Sequence, residues 1–341
     1  MSERVLTQRE LNRALLARQL LLERVRLPLP RAVERMGGIQ AQYAPSAYIA
    51  MWARVEGFRR EQLTRALQRR TLIQGTLLRG TIHIVSRRDY WAWAEAIREP
   101  QREWLRRAWP KIAARDRTGA GRALRQLLHD GPRHRSELIE LVGRDAWQAA
   151  DVDLVRVPPS GTWENRRAHL FAVAEDWVGP NDAHAEAGRE LLVGRYLGAF
   201  GPARVADIAG WSGLGNDRVK RALERTELRR FRDEQGREVV DLPRAPLPDP
   251  ETPAPARFIP HWAAFLLVHA RRTGVLPEEF RPILFNSKQP ASLATFLLDG
   301  AVAGSWRHEA GRIRLEPFRK LTRAERAELK EEEERLAAFY S

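Results

Sequence analysis

The sequence predicts a mainly α chain with small β-wings (α+β). It is expected to consist of three tandem winged-helix modules followed by a C-terminal β-containing module. Two observations support this fold class. Helical windows with capping signals are followed by short, glycine-punctuated strand pairs, and that order recurs three times along the 341 residues. A proline-rich stretch then introduces a region of different pattern. The expected divisions are residues 1–117, 118–187, 188–245 and 246–341.

The elements follow in order. Thr7-Gln8-Arg9-Glu10 has capping-box spacing and opens a helix bearing Leu11, Leu15, Leu16 and Leu20. Residues 29–36 form a second helix, ended by Gly37-Gly38, and residues 59–70 a third, with Leu63 and Leu67 four apart. Residues 72–85 are rich in Thr, Ile, Leu and Val and read as strand, turn, strand. A second copy comprises helices over 122–129 and 136–142 and a strand over 153–157, with a weak third helix. The third copy is the cleanest. Residues 202–207 lead into a helix, and Trp211-Ser212-Gly213-Leu214-Gly215 makes the turn. Residues 216–225 are the candidate recognition helix, and strands over 228–232 and 238–242 flank a wing tip at 233–236. Six prolines from Pro243 to Pro255 favour an extended linker. Beyond it, Asp299-Gly300 joins two strands in a tight hairpin, Ile313-Arg314-Leu315 offers another strand, and Thr322 with Glu325 caps a last helix. The acidic run at 331–334 reads as a solvated face of that helix.

Composition excludes several chemistries. Cysteine is absent, which removes disulfides, thiolate nucleophiles and sulfur-ligated metals. The polar N-terminus lacks a signal-peptide core and no apolar run approaches a bilayer span, so a cytoplasmic, nucleoid-associated protein with no membrane partner is expected. The net charge of +14 is uneven: residues 1–120 carry 24 Arg/Lys against 11 Asp/Glu, whereas residues 121–250 carry 20 against 21. A localised positive field points to a polyanion partner. Only five of the 58 basic residues are lysine, which also fits a general arginine bias.

Nucleotide-loop, zincin and serine-hydrolase signatures are missing. His129 with His134, and His261 with His269, lack close ligand spacing, so neither a metal nor a cofactor is expected. Most of the 11 tryptophans read as packing, with Trp91 and Trp306 as candidates to stack on a base. Two segments carry chemistry. In Gly37-Gly38-Ile39-Gln40-Ala41-Gln42-Tyr43-Ala44-Pro45-Ser46 the glycines and Pro45 argue against continuous helix. In extended backbone Gln40 and Gln42 would project to one side and present two uncharged amides to one point. The alternative is that both amides satisfy backbone groups of the loop. In Leu78-Arg79-Gly80-Thr81-Ile82-His83-Ile84-Val85, alternation puts Arg79, Thr81 and His83 on a polar face suited to phosphate.

These segments resemble the winged-helix DNA glycosylases of the AlkZ/YcaQ type. The likeness extends through Val157-Pro158-Pro159-Ser160-Gly161-Thr162-Trp163, Ala174-Glu175-Asp176-Trp177 and Phe200-Gly201-Pro202-Ala203-Arg204-Val205-Ala206-Asp207, to the ending 298–306. The resemblance implies three modules around a concave DNA-binding cleft, and excision of N-alkylated purines, in some members with unhooking of interstrand cross-links. Gln40-Ala41-Gln42 matches the Gln–hydrophobic–Gln form of the catalytic signature, which assigns catalysis to Gln40 and Gln42. The same resemblance sends the hairpin at Asp299 and Gly300 to the minor groove. DNA contacts are expected at Arg79, Thr81, His83, Arg54, Arg87, Asp299, Gly300 and Arg307. The expected partner is double-stranded DNA containing alkylated purines, bound by a monomer. The pattern departs after Arg257-Phe258-Ile259-Pro260, where the family has an acidic residue and this chain reads His261-Trp262-Ala263-Ala264. The competing class is a non-catalytic winged-helix DNA-binding regulator or resistance protein. An RNA-directed binder has less support.

Overall fold

The computed structural model describes residues 4–114, 116–167, 169–267, 274–285 and 293–341 as a mixed helical and sheet structure. A two-residue strand β1 (Val5–Leu6) precedes helix α1 (Gln8–Arg18). The Thr7 hydroxyl accepts from the Glu10 amide at 3.2 Å and the Glu10 carboxylate accepts from the Thr7 amide at 2.8 Å, the expected capping box.

One order of elements then occurs three times. The first run is α2 (Leu29–Arg35), β2 (Ile39–Gln40), α3 (Ala44–Trp52), α4 (Arg60–Gln68) and the ribbon β3 (Leu72–Thr76) with β4 (Ile82–Ser86). A long helix, α5 (Arg87–Ala108), and a short one, α6 (Pro110–Ala113), lead to the second run. That run is α7 (Arg117–Leu128), β5 (Arg133–His134), α8 (Arg135–Val142), α9 (Arg144–Ala149), β6 (Leu154–Arg156) and β7 (Leu170–Val173). After α10 (Ala174–Val178), the third run is α11 (Ala185–Phe200), α12 (Val205–Ser212), α13 (Asn216–Glu224), β8 (Arg229–Asp233) and β9 (Glu238–Asp241). Each time, the segment between the first two helices bonds to the last strand: β2 pairs β4, β5 pairs β7, and Ala203 bridges Val240 in β9.

The first two ribbons fuse. Strand β3 pairs antiparallel with β6, placing Gly75 opposite Val155, and a six-stranded sheet of order β2-β4-β3-β6-β7-β5 results. The third ribbon instead takes up β1, parallel to β8. Helix α11 is held to the first run by Arg195, which pairs with Asp89 of α5 at 2.7 Å and Glu34 of α2 at 3.3 Å. The C-terminal sheet runs β10 (Arg257–Ile259), β11 (Thr295–Leu298), β12 (Ala301–Glu309), β13 (Arg312–Pro317), and a final helix α14 (Arg323–Tyr340) packs its Leu329 and Leu336 inward. No helix among the described residues is long and apolar enough to cross a membrane.

Gly37 and Gly38 turn the chain from α2 into β2 at φ +72° and +76°, a region costly for other residues. A Cβ on Gly38 would lie 2.9 Å from the Trp93 ring, so the close approach also requires glycine. These two residues set the position of Gln40.

Candidate functional site

An open cleft of about 840 Å3 lies between the first and second runs. Helix α5 supplies Arg98 and Gln101 to one wall, and the second run supplies Arg135, Arg156, Arg166, Arg167 and His169. Gln42 and Tyr43, just beyond β2, stand at its edge. The cations differ in availability. Arg98 is held by Glu95 at 2.7 Å and Asp153 at 2.8 Å. Arg156 lies over the Phe171 ring and donates to Thr76 Oγ1 at 2.7 Å, and its burial pushes the guanidinium down to about 10. Arg166 and Arg167 are exposed, and Arg135 is half-buried. None of these three has a carboxylate within 4 Å among the described residues. Burial and then the surrounding arginines hold His169 below the usual imidazole value, which favours its neutral form. Arg166 also donates to the Tyr43 hydroxyl at 3.0 Å, and His261 meets Tyr43 edge-on at 6.4 Å between ring centres.

Gln42 is exposed in this cleft. Its Oε1 accepts from the Ile82 amide at 2.6 Å, leaving a second lone pair and the Nε2 hydrogens outward. Gln40 is 5% exposed, and its Oε1 accepts from Arg79 Nη2 at 3.4 Å. It borders a separate small cavity of about 20 Å3 rather than the cleft. The extended backbone expected at Gln40 is present, but the two amides line different spaces because β2 ends at Gln40 and the chain bends at Gln42.

The expected phosphate face of Arg79, Thr81 and His83 is not a free surface. Arg79 sits in a 3-10 turn at φ +54°, largely buried, with its other Nη donating to the Trp211 carbonyl of α12. The Thr81 hydroxyl donates to Leu78 O at 2.9 Å. His83 is 3% exposed opposite Gln40 in the sheet, and burial pushes its pKa down to about 3, leaving a neutral ring beside Thr81 O. Arg54 is 2% exposed and spends its donors on Gln19 O at 2.8 Å and Ala50 O at 3.0 Å, so it offers no phosphate contact. Asp299 and Gly300 form the expected tight turn, at φ +44° and +79°. That turn is docked on α1: Asn12 donates to Gly300 O at 2.9 Å, and Asp299 pairs with Arg9 at 2.9 Å and with Arg13. Gly300 is buried, so this hairpin tip does not project freely. The exposed tip of that sheet is instead the β12–β13 turn at Ala310-Gly311, beside Arg312 and Arg314. Arg307 is exposed but paired with Glu309 at 3.3 Å and with Glu316. Arg87 is exposed at the start of α5.

Trp91 and Trp306 are core residues whose indole N–H groups donate to Gly179 O and Ile259 O, both at 3.0 Å; neither is open to a base. The exposed tryptophans are Trp104 and Trp109. His269 lies outside the described residues, and among those described no cluster could hold a metal. The second-run cations Arg135, Arg156, Arg166 and Arg167 were missed by sequence reasoning; the adjacent Arg166-Arg167 pair was the available signal.

A model of the family of DNA glycosylases described as AlkZ-like matches residues 33–339. The protein is a DNA glycosylase, with DNA as its substrate. Within that class the chain belongs to the AlkZ-like family. The solved structure of Streptomyces sahachiroi DNA glycosylase AlkZ matches with a TM-score of 0.81 at 18% identity, covering 96% of this chain and 95% of that one. At that identity the likeness shows the fold alone. No curated protein matches this chain significantly.

Proposed function

We propose that this glycosylase hydrolyses the N-glycosidic bond of cationic purines alkylated at N7 or N3, in duplex DNA seated along the Gln42 cleft. The observation that carries the reading is the chemistry of the cleft wall. Its one carboxylate among the described lining residues, Asp153, is tied to Arg98, and no lysine lines it. Such a wall has no free acid to protonate a departing base and no amine to form a Schiff base. An alkylated purine needs neither, because it already carries positive charge and leaves neutral. The sugar gains oxocarbenium character, as in other glycoside cleavage. What remains is to place water and tolerate developing charge. Gln42 supplies an uncharged lone pair and two N–H donors at the cleft. Gln40 is the second catalytic amide of this reading, although it lines the neighbouring cavity and is held by Arg79. The open cleft also suits a bulky cross-linked base, so unhooking of interstrand cross-links belongs to the same reading.

The repeated helix, strand, helix, helix, ribbon order supports three winged-helix modules, at 1–117, 118–187 and 188–245, with residues 246–341 as linker and hairpin/helix module. A monomer suffices for this cleft. The test is incubation with duplex containing N7-methylguanine, scored for free base and abasic site, against unmodified duplex. Release from the damaged strand alone is expected. Gln42→Ala should lower the single-turnover rate at least about tenfold with DNA affinity kept, since acid–base groups supply roughly 10²–10⁴-fold and an amide less. Binding without release at enzyme excess would overturn the alkylpurine reading.

A further inference from the structure

The small cavity beside Gln40 is distinct from the cleft. It is lined by Gln19, Gln40, Ser46, Arg54 and the loop from Pro260 to Ala264. About 20 Å3 is room for one atom of water or halide size. Its polar groups are inaccessible: Ser46 is 1% exposed and Arg54 2%.

Among the described residues, no carboxylate pairs with Arg54. Its donors meet Gln19 O, Ala50 O and, at 3.4 Å, Gln19 Oε1, all neutral, and its flat face lies 6.0 Å from the Phe265 ring centre. Three of its five N–H groups are thus accounted for. The other charge acting on it is a second cation, Arg257. A buried charge without a counter-charge is strongly unfavourable unless something compensates it. Ser46 Oγ, on the wall of the same cavity, has no hydrogen-bond partner among the described residues. The unpartnered Ser46 hydroxyl and the two remaining Arg54 N–H groups therefore belong to residues that line one small space. The loop closing it holds Trp262 at φ +65°, a conformation that side chains other than glycine adopt at a cost and that tends to persist where function or packing demands it.

We infer that this cavity is a binding site for one small monovalent anion of chloride size, held by Arg54 and Ser46. The anion supplies the missing counter-charge and fixes the floor beneath Gln40. The inference concerns binding alone and stands whether or not the chain prefers alkylated purines.

Two measurements test it. Crystals of the full chain in sodium bromide should show an anomalous peak within hydrogen-bond reach of Arg54 and Ser46. Thermal unfolding at constant ionic strength should give a higher Tm in chloride or bromide than in gluconate, which is too large for the cavity. A shift of about 2–4 °C, growing with the logarithm of halide concentration, is expected at about 0.2 M for a site whose Kd is roughly tenfold lower. Ser46→Ala should weaken the halide dependence, and Arg54→Met should abolish it. If Arg54→Met fails to fold, Ser46→Ala keeps the test decisive, because it removes one hydroxyl only. A cavity without anomalous signal, holding only water, overturns the inference. So does a halide shift undiminished in Ser46→Ala.

Discussion

Replacing Arg135, Arg166 and Arg167 together by alanine should flatten the salt dependence of DNA binding by a predictable amount. Of the five cleft arginines, Arg98 is neutralised by Glu95 and Asp153, and Arg156 is buried against Phe171 and Thr76. The remaining three are the ones available to phosphates. Each phosphate neutralised contributes about 0.9 to the slope of log K against log salt, so three contribute about 2.7. Between 50 and 200 mM salt, the wild type should therefore lose about 40-fold more affinity than the triple variant. Fluorescence anisotropy with an undamaged duplex at four salt concentrations measures both slopes. Arg98→Ala is the internal control and should change the slope by much less than one unit. An unchanged slope in the triple variant would refute the placement of the duplex in this cleft. An equal effect from Arg98→Ala would refute the division of cations into free and engaged.

Three further outcomes follow from the packing. Asp241→Asn should cost about 3–5 kcal/mol in urea unfolding, because the fully buried Asp241 carboxylate pairs with an equally buried Arg18 at 2.6 Å and with Arg229 at 2.6 Å. A loss under about 1 kcal/mol would show that Arg18 has other adequate partners. His83 should make folding acid-sensitive: its folded pKa is pushed down to about 3, so the unfolded chain binds the extra proton between about pH 6.5 and 3, and stability falls as pH drops through that window. His83→Gln should lose less stability than wild type between pH 7 and pH 4; equal losses would contradict the burial argument. Gly38→Ala combines a positive φ with a 2.9 Å approach to Trp93 and should cost roughly 2–4 kcal/mol, read as a lower urea midpoint at unchanged slope.

Local signals made much of the architecture legible. The Thr7–Glu10 and Thr322–Glu325 capping boxes, the Gly37-Gly38 stop and the Asp299-Gly300 turn all sit where their backbone chemistry requires them. Helix α5 was not anticipated, although Ser86 caps it by accepting from the Asp89 amide; Pro100 in its interior and its clustered tryptophans broke the apparent period. Charge bookkeeping passed over the second-run cations of the cleft. A sum over residues 121–250 cancels Arg135, Arg166 and Arg167 against carboxylates that the fold sends elsewhere, such as Glu186 and Glu190 on α11 beside Arg225. Burial was the other gap. Strand alternation distinguishes two faces but not which is covered, and α12 and the Pro260–Ala264 loop, far away in sequence, cover Arg79 and the space beside Arg54.

That long-range cover explains why Gln40 cannot be understood from its own module. Arg79 touches both Gln40 and the third run: one Nη donates to Gln40 Oε1 and the other to the Trp211 carbonyl near the end of α12. The end of a helix offers carbonyls with partial negative charge, a favourable seat for a guanidinium removed from water. Gly213, at φ +76°, ends α12 there, and its Cα region lies against the Arg79 side chain. The position of a helix terminus in the third run therefore sets the orientation of an amide in the first. A lysine at position 79 could not reproduce this, because a single ammonium lacks the fork that reaches both acceptors. Gln40 and the helix that precedes the candidate recognition helix are thus joined through one planar cation.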